Sequence, residues 1–353
     1  MQIEKNKSLR DYNSFHLDVM AKYFVSIESV QDIQDLILDP IFLENKRLIV
    51  WWGSNMLLTQ DYFDGLVVHN AIIGKEIIYE DDSQVVVRVG AGEVWHDLVM
   101  WAVKQWRGGI ENLALIPGSV GAAPMQNIGA YWVEVKDVIT FIEYIDLQDG
   151  TVHILDKDSC QFGYRDSIFK RALKDRAFIS YVVLRLYKTT AESWKLQAEG
   201  YQLKLDYKDI QQEMEKRGLT RGDVSVQEVA DMVIAIRQRK LPDWTQIGTA
   251  GSFFKNPIID ATTWQRLSVT IPDLQWYPLT DGGVKLSAGQ LIELAWLKGM
   301  ERWSVWTYKN HALVIVHHGW GKGADIVDLA KEIQEKVYEK FGVWLEPEVN
   351  YIE

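Results

Sequence analysis

The stretch Glu111–Tyr131, ENLALIPGSVGAAPMQNIGAY, decides how the rest of the chain is read. It is rich in small residues and has little helix or strand periodicity. A long segment of this kind inside a compact domain is more often a ligand-binding loop than filler. Its backbone can approach a phosphate closely, with N–H groups free to donate.

Regular elements flank the loop on both sides. Upstream, KYFVSIES (Lys22–Ser29) reads as a strand, and Ser29 with Asp32 forms a capping pair for the helix VQDIQDLIL. RLIV (Arg47–Val50) is a short buried strand running into the turn Gly53-Ser54-Asn55. GLVVHN and SQVVVRVGAG are further strands, and VWHDLVMWAVKQ (Val94–Gln105) has apolar residues at helical spacing. Downstream, FIEYIDLQDGTVHIL is a hairpin turning at Asp149-Gly150. VQEVADMVIAIRQRKL (Val226–Leu241) is an amphipathic helix with a basic C-terminal end, and Pro242-Asp243 marks a boundary. SAGQLIELAWLKG is expected to be a helix and HALVIVHH a strand. In the long helix ADIVDLAKEIQEKVYEKFG, Ile326, Ala330, Ile333, Val337 and Phe341 share one face and Gly342 is the stop.

The 353 residues exceed one average core, and 47% hydrophobic with 25% charged residues is a globular composition. A net charge of −11 argues against nucleic acid or an anionic membrane as partner, though not against a small anionic ligand. The one cysteine, Cys160, excludes an internal disulfide and fits a reducing compartment. The first residues show no apolar signal region, so a cytoplasmic, monomeric protein is expected. The seven histidines form no ligand cluster, and His317 and His318, adjacent on a strand, point to opposite faces, so no metal is expected.

Three further blocks carry chemistry: FGYRDSIFK (Phe162–Lys170), GTAGSFFKNP (Gly248–Pro257) and LEPEVN (Leu345–Asn350). Alone, Ser252 reads as a turn residue entering a strand, and Arg165 as a surface partner of Asp166. With Ile116–Tyr131, the four blocks stand in an order and spacing that closely resemble the UDP-N-acetylenolpyruvoylglucosamine reductases, from Asn13 to the last residues. Tyr207 in LDYKDI is similar to the substrate-covering tyrosine of one subtype.

The resemblance implies an α+β protein of three subdomains: residues 1–72 with 343–353 and residues 73–241 forming an FAD-binding module of the vanillyl-alcohol-oxidase type, and residues 242–342 binding substrate. It implies reduction of UDP-N-acetylglucosamine enolpyruvate to UDP-N-acetylmuramate, with NADPH reducing FAD, hydride reaching C3 and a proton reaching C2. Arg165 then faces the charge developing on C2 and its carboxylate, where its planar fork suits the group. Ser252 is the proton donor to C2. Glu348 is the catalytic carboxyl, with a raised pKa expected beside that charge; Glu346 is expected to be exposed. The matching cofactor residues are Gly53, Ser54, Asn55, Gly118, Ser119, Gly121, Ala122, Asn127, Gly129 and Ala130. The matching sugar-nucleotide residues are Tyr164, Tyr207, Lys240 (at the phosphates), Asn256 and His311, the last at a position that is often glutamine.

The chain departs from the resemblance in its tryptophans, of which it has 15. Trp51 and Trp52 precede Gly53-Ser54-Asn55, Trp132 follows Gly-Ala-Tyr, and Trp303 and Trp306 lie in RWSVWTYKN, all where the family is small or glycine-bearing. Gln290 stands where tryptophan is common. Two outcomes are open: the indoles fill the cofactor groove, or they point to solvent. The first corresponds to a non-catalytic or engineered relative that has lost FAD. A flavin oxidase is disfavoured by the Arg165, Ser252 and Glu348 set.

Overall fold

The computed structural model describes residues 1–51, 53–189, 201–279 and 282–353. These form two compact units. The first comprises residues 1–7, 21–52 and 64–237; the second, residues 8–20, 53–63 and 238–353.

Among the described residues, the first unit contains two large sheets and the two-stranded pair of Gly129–Ala130 with Val133–Glu134. One has the strand order Glu4–Ser8, Met20–Ile27, Tyr62–Asn70, Lys46–Val50, the last two parallel. The Val30–Leu36 helix covers it. Ser29 Oγ accepts the Asp32 N–H at 3.1 Å and Asp32 takes the Glu28 N–H at 3.2 Å, so the expected capping pair forms. The other sheet is antiparallel, in the order Val152–Asp156, Ile139–Asp146, Ala177–Lys188, Gln84–Gly90, Lys75–Glu80, with Arg107–Gly108 pairing the central strand. Alternation is the reason it has a dry face: Val85, Val87 and Val89 are fully buried. They pack with Trp95, Leu98 and Val99 of the Trp95–Lys104 helix and with Met232, Val233 and Ile236 of the Val226–Lys240 helix. Each such side chain contributes about 1.5–3 kcal/mol of burial. The Asp149-Gly150 hairpin is present, with Gly150 at φ 75°.

The second unit is built on the sheet Gly248–Ser252, Val314–His317, Val305–Thr307, Glu301–Arg302. The Gly323–Phe341 helix buries Ile326, Ala330, Ile333, Val337 and Phe341 and stops at Gly342, at φ 68°. Asn350–Ile352 pairs in parallel with Met56–Leu58. His317 is buried and bonded to Phe15 O at 2.9 Å, while His318 is exposed and stacked on Trp306, so the two do face apart.

One element differs from expectation. The helix in SAGQLIELAWLKG covers only Ala288–Leu294, because Trp296 turns into the left-handed region at φ 62°. Trp52 and residues 190–200 lie outside the described residues.

Candidate functional site: a glycine loop and a serine–glutamate ladder

In the first unit, backbone hydrogen bonds hold the 111–131 segment along its length. Trp95 N–H donates to Gly118 O at 2.9 Å, Gly121 N–H to Ala91 O at 2.8 Å, and Ile128 N–H to Ala123 O at 3.0 Å. At its start, buried Glu111 accepts the Gly109 N–H at 2.6 Å and the Tyr201 hydroxyl; burial raises its pKa, and these donors oppose the rise. Gly118 has φ 122°, open only to glycine. A Cβ on Gly121 would lie 2.6 Å from Ala91 Cβ and 2.7 Å from the Trp51 indole. Ser119 Oγ is buried with no hydrogen-bond partner among the described residues.

Asn127 is fully buried and used structurally. Its amide donates to Glu134 and to Gly163 O, both at 3.0 Å, and its oxygen accepts the Lys136 N–H at 3.2 Å. Gly129 and Ala130 pair with Glu134 and Val133. Gly129 O accepts from Arg165 Nη2 at 3.0 Å. Asp166, the partner that a lone arginine would suggest, is engaged by Arg171. Arg165 sits at φ 54° in the Gly163–Asp166 turn, its guanidinium 5.5 Å from the ring of exposed Tyr164. A left-handed arginine costs about 1–2 kcal/mol, strain of the kind stored at functional sites. Tyr207 stacks edge-on against Tyr131 at 5.1 Å and Trp132 at 5.9 Å. The first unit therefore brings Arg165, Gly129, Asn127, Tyr164 and the Tyr207 turn to one loop system.

Two residues here escaped the sequence reading. Arg237 donates from Nε to Leu115 O at 3.2 Å, and burial lowers its pKa. His96 Nδ1 accepts the Leu115 N–H at 3.0 Å, and burial lowers its pKa too. The basic end of IRQRKL was a signal for Arg237, but one equally accounted for by helix-end charge.

In the second unit, a continuous set of bonds gathers the other candidates. Leu313 N–H donates to His311 Nδ1 at 3.3 Å, Phe253 N–H to Leu313 O at 2.8 Å, and Glu348 N–H to Phe253 O at 2.8 Å. Asn55 Nδ2 then donates to Glu348 O at 3.2 Å. Ser252, Glu348, Asn55 and His311 are thus neighbours along one ladder. Ser252 ends its strand at a bulge beside Gly251, at φ 74°, with its own residue exposed and both following phenylalanines buried. Asn256 Oδ1 accepts the Ala288 N–H at 3.0 Å. Glu346 is 72% exposed and pairs with Lys255 at 2.8 Å. Lys240, half-buried, closes the Val226–Lys240 helix, next to Arg239, whose carbonyl accepts from Asn310 at 3.3 Å. Gly53 has φ 58°, and a Cβ there would fall 2.2 Å from Tyr12 O. Ser54 is partly buried beside it, and Ser14 Oγ is buried without a partner among the described residues.

The tryptophans of the described residues differ in exposure. Trp132 and Trp303 are 64% and 80% exposed. Trp51 instead lies against Gly121, with its Nε1 buried and without a hydrogen-bond partner among the described residues.

A loop that needs glycine at Gly118 and Gly121 and carries a buried Ser119 hydroxyl without a partner among the described residues suits a pyrophosphate, which needs close backbone approach and donors. The residues fit a dinucleotide cofactor, with the Trp51 indole crowding its loop at Gly121. A profile described as an FAD binding domain matches residues 21–156, which defines the class: an FAD-binding flavoprotein. A second profile, "UDP-N-acetylenolpyruvoylglucosamine reductase, C-terminal domain", matches residues 242–352. The reductases of Flavobacterium johnsoniae and Pseudomonas aeruginosa are 40% and 41% identical, over 100% and 99% of both chains respectively. The crystal structure of the Thermus caldophilus enzyme (MurB) shares the fold, with TM-score 0.67 and 21% identity over 100% of both chains. The chain belongs to the UDP-N-acetylenolpyruvoylglucosamine reductase family of FAD-dependent oxidoreductases.

Proposed function

We propose that this chain reduces UDP-N-acetylglucosamine enolpyruvate to UDP-N-acetylmuramate with NADPH as reductant, in the cytoplasm, as a step of peptidoglycan precursor synthesis. The observation that carries the reading is the ladder from Asn55 through Glu348 to the residue after Ser252. It holds a proton donor and a carboxyl on adjacent, hydrogen-bonded segments.

Gly118, Ser119, Gly121 and Ala122 of the glycine loop, Asn127, Gly129 and Ala130 beyond it, and Gly53, Ser54 and Asn55 would hold FAD, which would supply hydride to the enolpyruvyl C3. Arg165 holds the substrate carboxylate and stabilises the negative charge that grows on C2. Such a preorganised donor contributes most where water is excluded. Ser252 Oγ gives its proton to C2. A hydroxyl is a weak acid, but a basic carbon within hydrogen-bond reach lowers the demand on it. Glu348 sits on the proton path behind the serine. Tyr164, Asn256 and His311 orient the sugar nucleotide, Lys240 meets its phosphates, and Tyr207 covers it, as in the tyrosine-loop subtype.

The test is NADPH oxidation by the purified, flavin-loaded protein with and without the enolpyruvyl sugar nucleotide. Substrate-dependent oxidation yielding UDP-N-acetylmuramate is expected. A folded, flavin-bearing protein that oxidises NADPH equally fast without the sugar nucleotide would overturn the reading.

A further inference from the structure

Four tryptophans have left-handed backbones: Trp106 (φ 55°), Trp132 (φ 64°), Trp296 (φ 62°) and Trp303 (φ 50°). For a bulky residue this is a genuine outlier; Leu115, Tyr131, Gln161 and Arg165 share the region here with Asn6, His16, Asn127 and Asp175, and only the last four are of the types that tolerate it.

Each of the four occupies a slot that local hydrogen bonding defines as glycine's. After the Ala288–Leu294 helix, Trp296 N–H donates to Glu293 O at 2.9 Å and Leu297 N–H to Ile292 O at 3.1 Å. The Lys208–Arg217 helix closes with the same pair of bonds, Gly218 to Glu215 at 3.1 Å and Leu219 to Met214 at 3.0 Å, and there the left-handed residue is glycine, at φ 67°. Trp106 ends the Trp95–Lys104 helix in the same region, donating to Val103 O at 2.9 Å. Trp132 is second in a two-residue turn joining Ala130 to Val133, after Tyr131 at φ 50°. Two positive φ values make this the mirror-image turn that prefers Asn-Gly. Trp303 is first in a two-residue turn joining Arg302 to Val305, the position that asks for glycine when it alone has positive φ.

Packing does not compensate for the strain. The four are 36%, 64%, 87% and 80% exposed in chain order. Trp95 is the contrast: 1% exposed, helical, its Nε1 donating to Leu113 O at 3.0 Å. Trp51 adds a fifth misfit, its indole against Gly121 and its Nε1 without a hydrogen-bond partner among the described residues.

We propose that positions 51, 106, 132, 296 and 303 are glycine in the working enzyme, because the codon read as tryptophan in this chain is decoded as glycine where the gene is expressed. UGA fits both readings: it differs from tryptophan's UGG in its third base and from glycine's GGA in its first. Trp95 is then a tryptophan packed as an indole, and the four left-handed tryptophans stand in glycine slots. The functional consequence falls on the cofactor loop, where glycine at position 51 uncovers Gly121.

Two measurements test this, and neither reads reductase activity, so its failure is distinguishable from failure of the proposed reaction. The first is the codon at each position, with peptide mass mapping of the protein purified from its source. UGA and glycine masses at the five positions, with UGG and tryptophan at Trp95, are expected. Tryptophan masses at the left-handed positions would overturn the proposal. The second compares the chain as written with its variant carrying Trp51→Gly, Trp106→Gly, Trp132→Gly, Trp296→Gly and Trp303→Gly. The variant should melt about 4 °C or more higher and keep a flavin absorption band through desalting better than the parent. Equal melting and equal flavin retention would remove the physical basis of the proposal.

Discussion

Around Ser252, backbone bonds run to both neighbours: Phe253 receives from Glu348 and donates to Leu313, and Asn55 closes on Glu348 from the other side. Around Gly121, tight fit adds to the backbone bond on Ala91 O, with no room for a Cβ beside Ala91 and with a buried Ser119 hydroxyl that has no partner among the described residues. The two backbone rungs, Phe253 to Leu313 and Glu348 to Phe253, are indifferent to which side chains hang from them. The loop is not. Side-chain substitutions in the first should change chemistry and leave the fold, whereas added atoms in the second should change binding and stability together.

The largest effect expected is therefore purely kinetic. Ser252→Ala should lower kcat by about 10²–10⁴-fold with flavin content and melting temperature unchanged; flavin loss in this variant would break the contrast. Arg165→Met should lower kcat/KM by about 10²–10³-fold. It should also relieve none of the strain at φ 54°, so its stability should stay close to that of the parent. Gly121→Ala should do the opposite, costing about 1–3 kcal/mol by overpacking and weakening flavin binding, read by denaturant titration and by the flavin band after desalting. A fully stable, flavin-replete Gly121→Ala would show that the loop yields.

The smallest effect is a pH dependence confined to the first unit. Burial lowers the pKa of His96, so the neutral ring that accepts the Leu115 N–H is the folded form. A lowered pKa means a contribution fully present above the unfolded value of 6.5 and lost as pH falls below it. The melting temperature should drop more between pH 7.5 and 5.5 than in His96→Gln, by about 2 °C.

The parts of this protein legible in the sequence are those where chemistry or periodicity is local. The Ser29–Asp32 cap, the valine alternation of Gln84–Gly90, the Asp149-Gly150 turn and the stop at Gly342 all rest on contacts within a few residues. The pairing of Glu348 with Phe253 was not legible, since the two are far apart in sequence and joined by backbone groups that every residue shares. The partner of Arg165 was misleading for the same reason: Asp166 is adjacent in sequence, yet Gly129 O receives the guanidinium and Arg171 takes the carboxylate. The tryptophans marked the right places without saying which way the indoles turn. That depends on the free volume beside Gly121, and volume is not written in residue order.

Asn55 and Glu348 are 293 residues apart yet share a hydrogen bond. On the ribosome, at about 5–20 residues per second, Asn55 waits roughly 15–60 s for its partner to be made. Over that interval the first unit's residues have all emerged, while residues 8–20 and 53–63 of the second, joined to each other by Ser14 N–H to Gly53 O at 3.1 Å and Met20 N–H to Asp61 O at 3.2 Å, wait for residues 238–353. The ladder is thus a late event in the life of the chain.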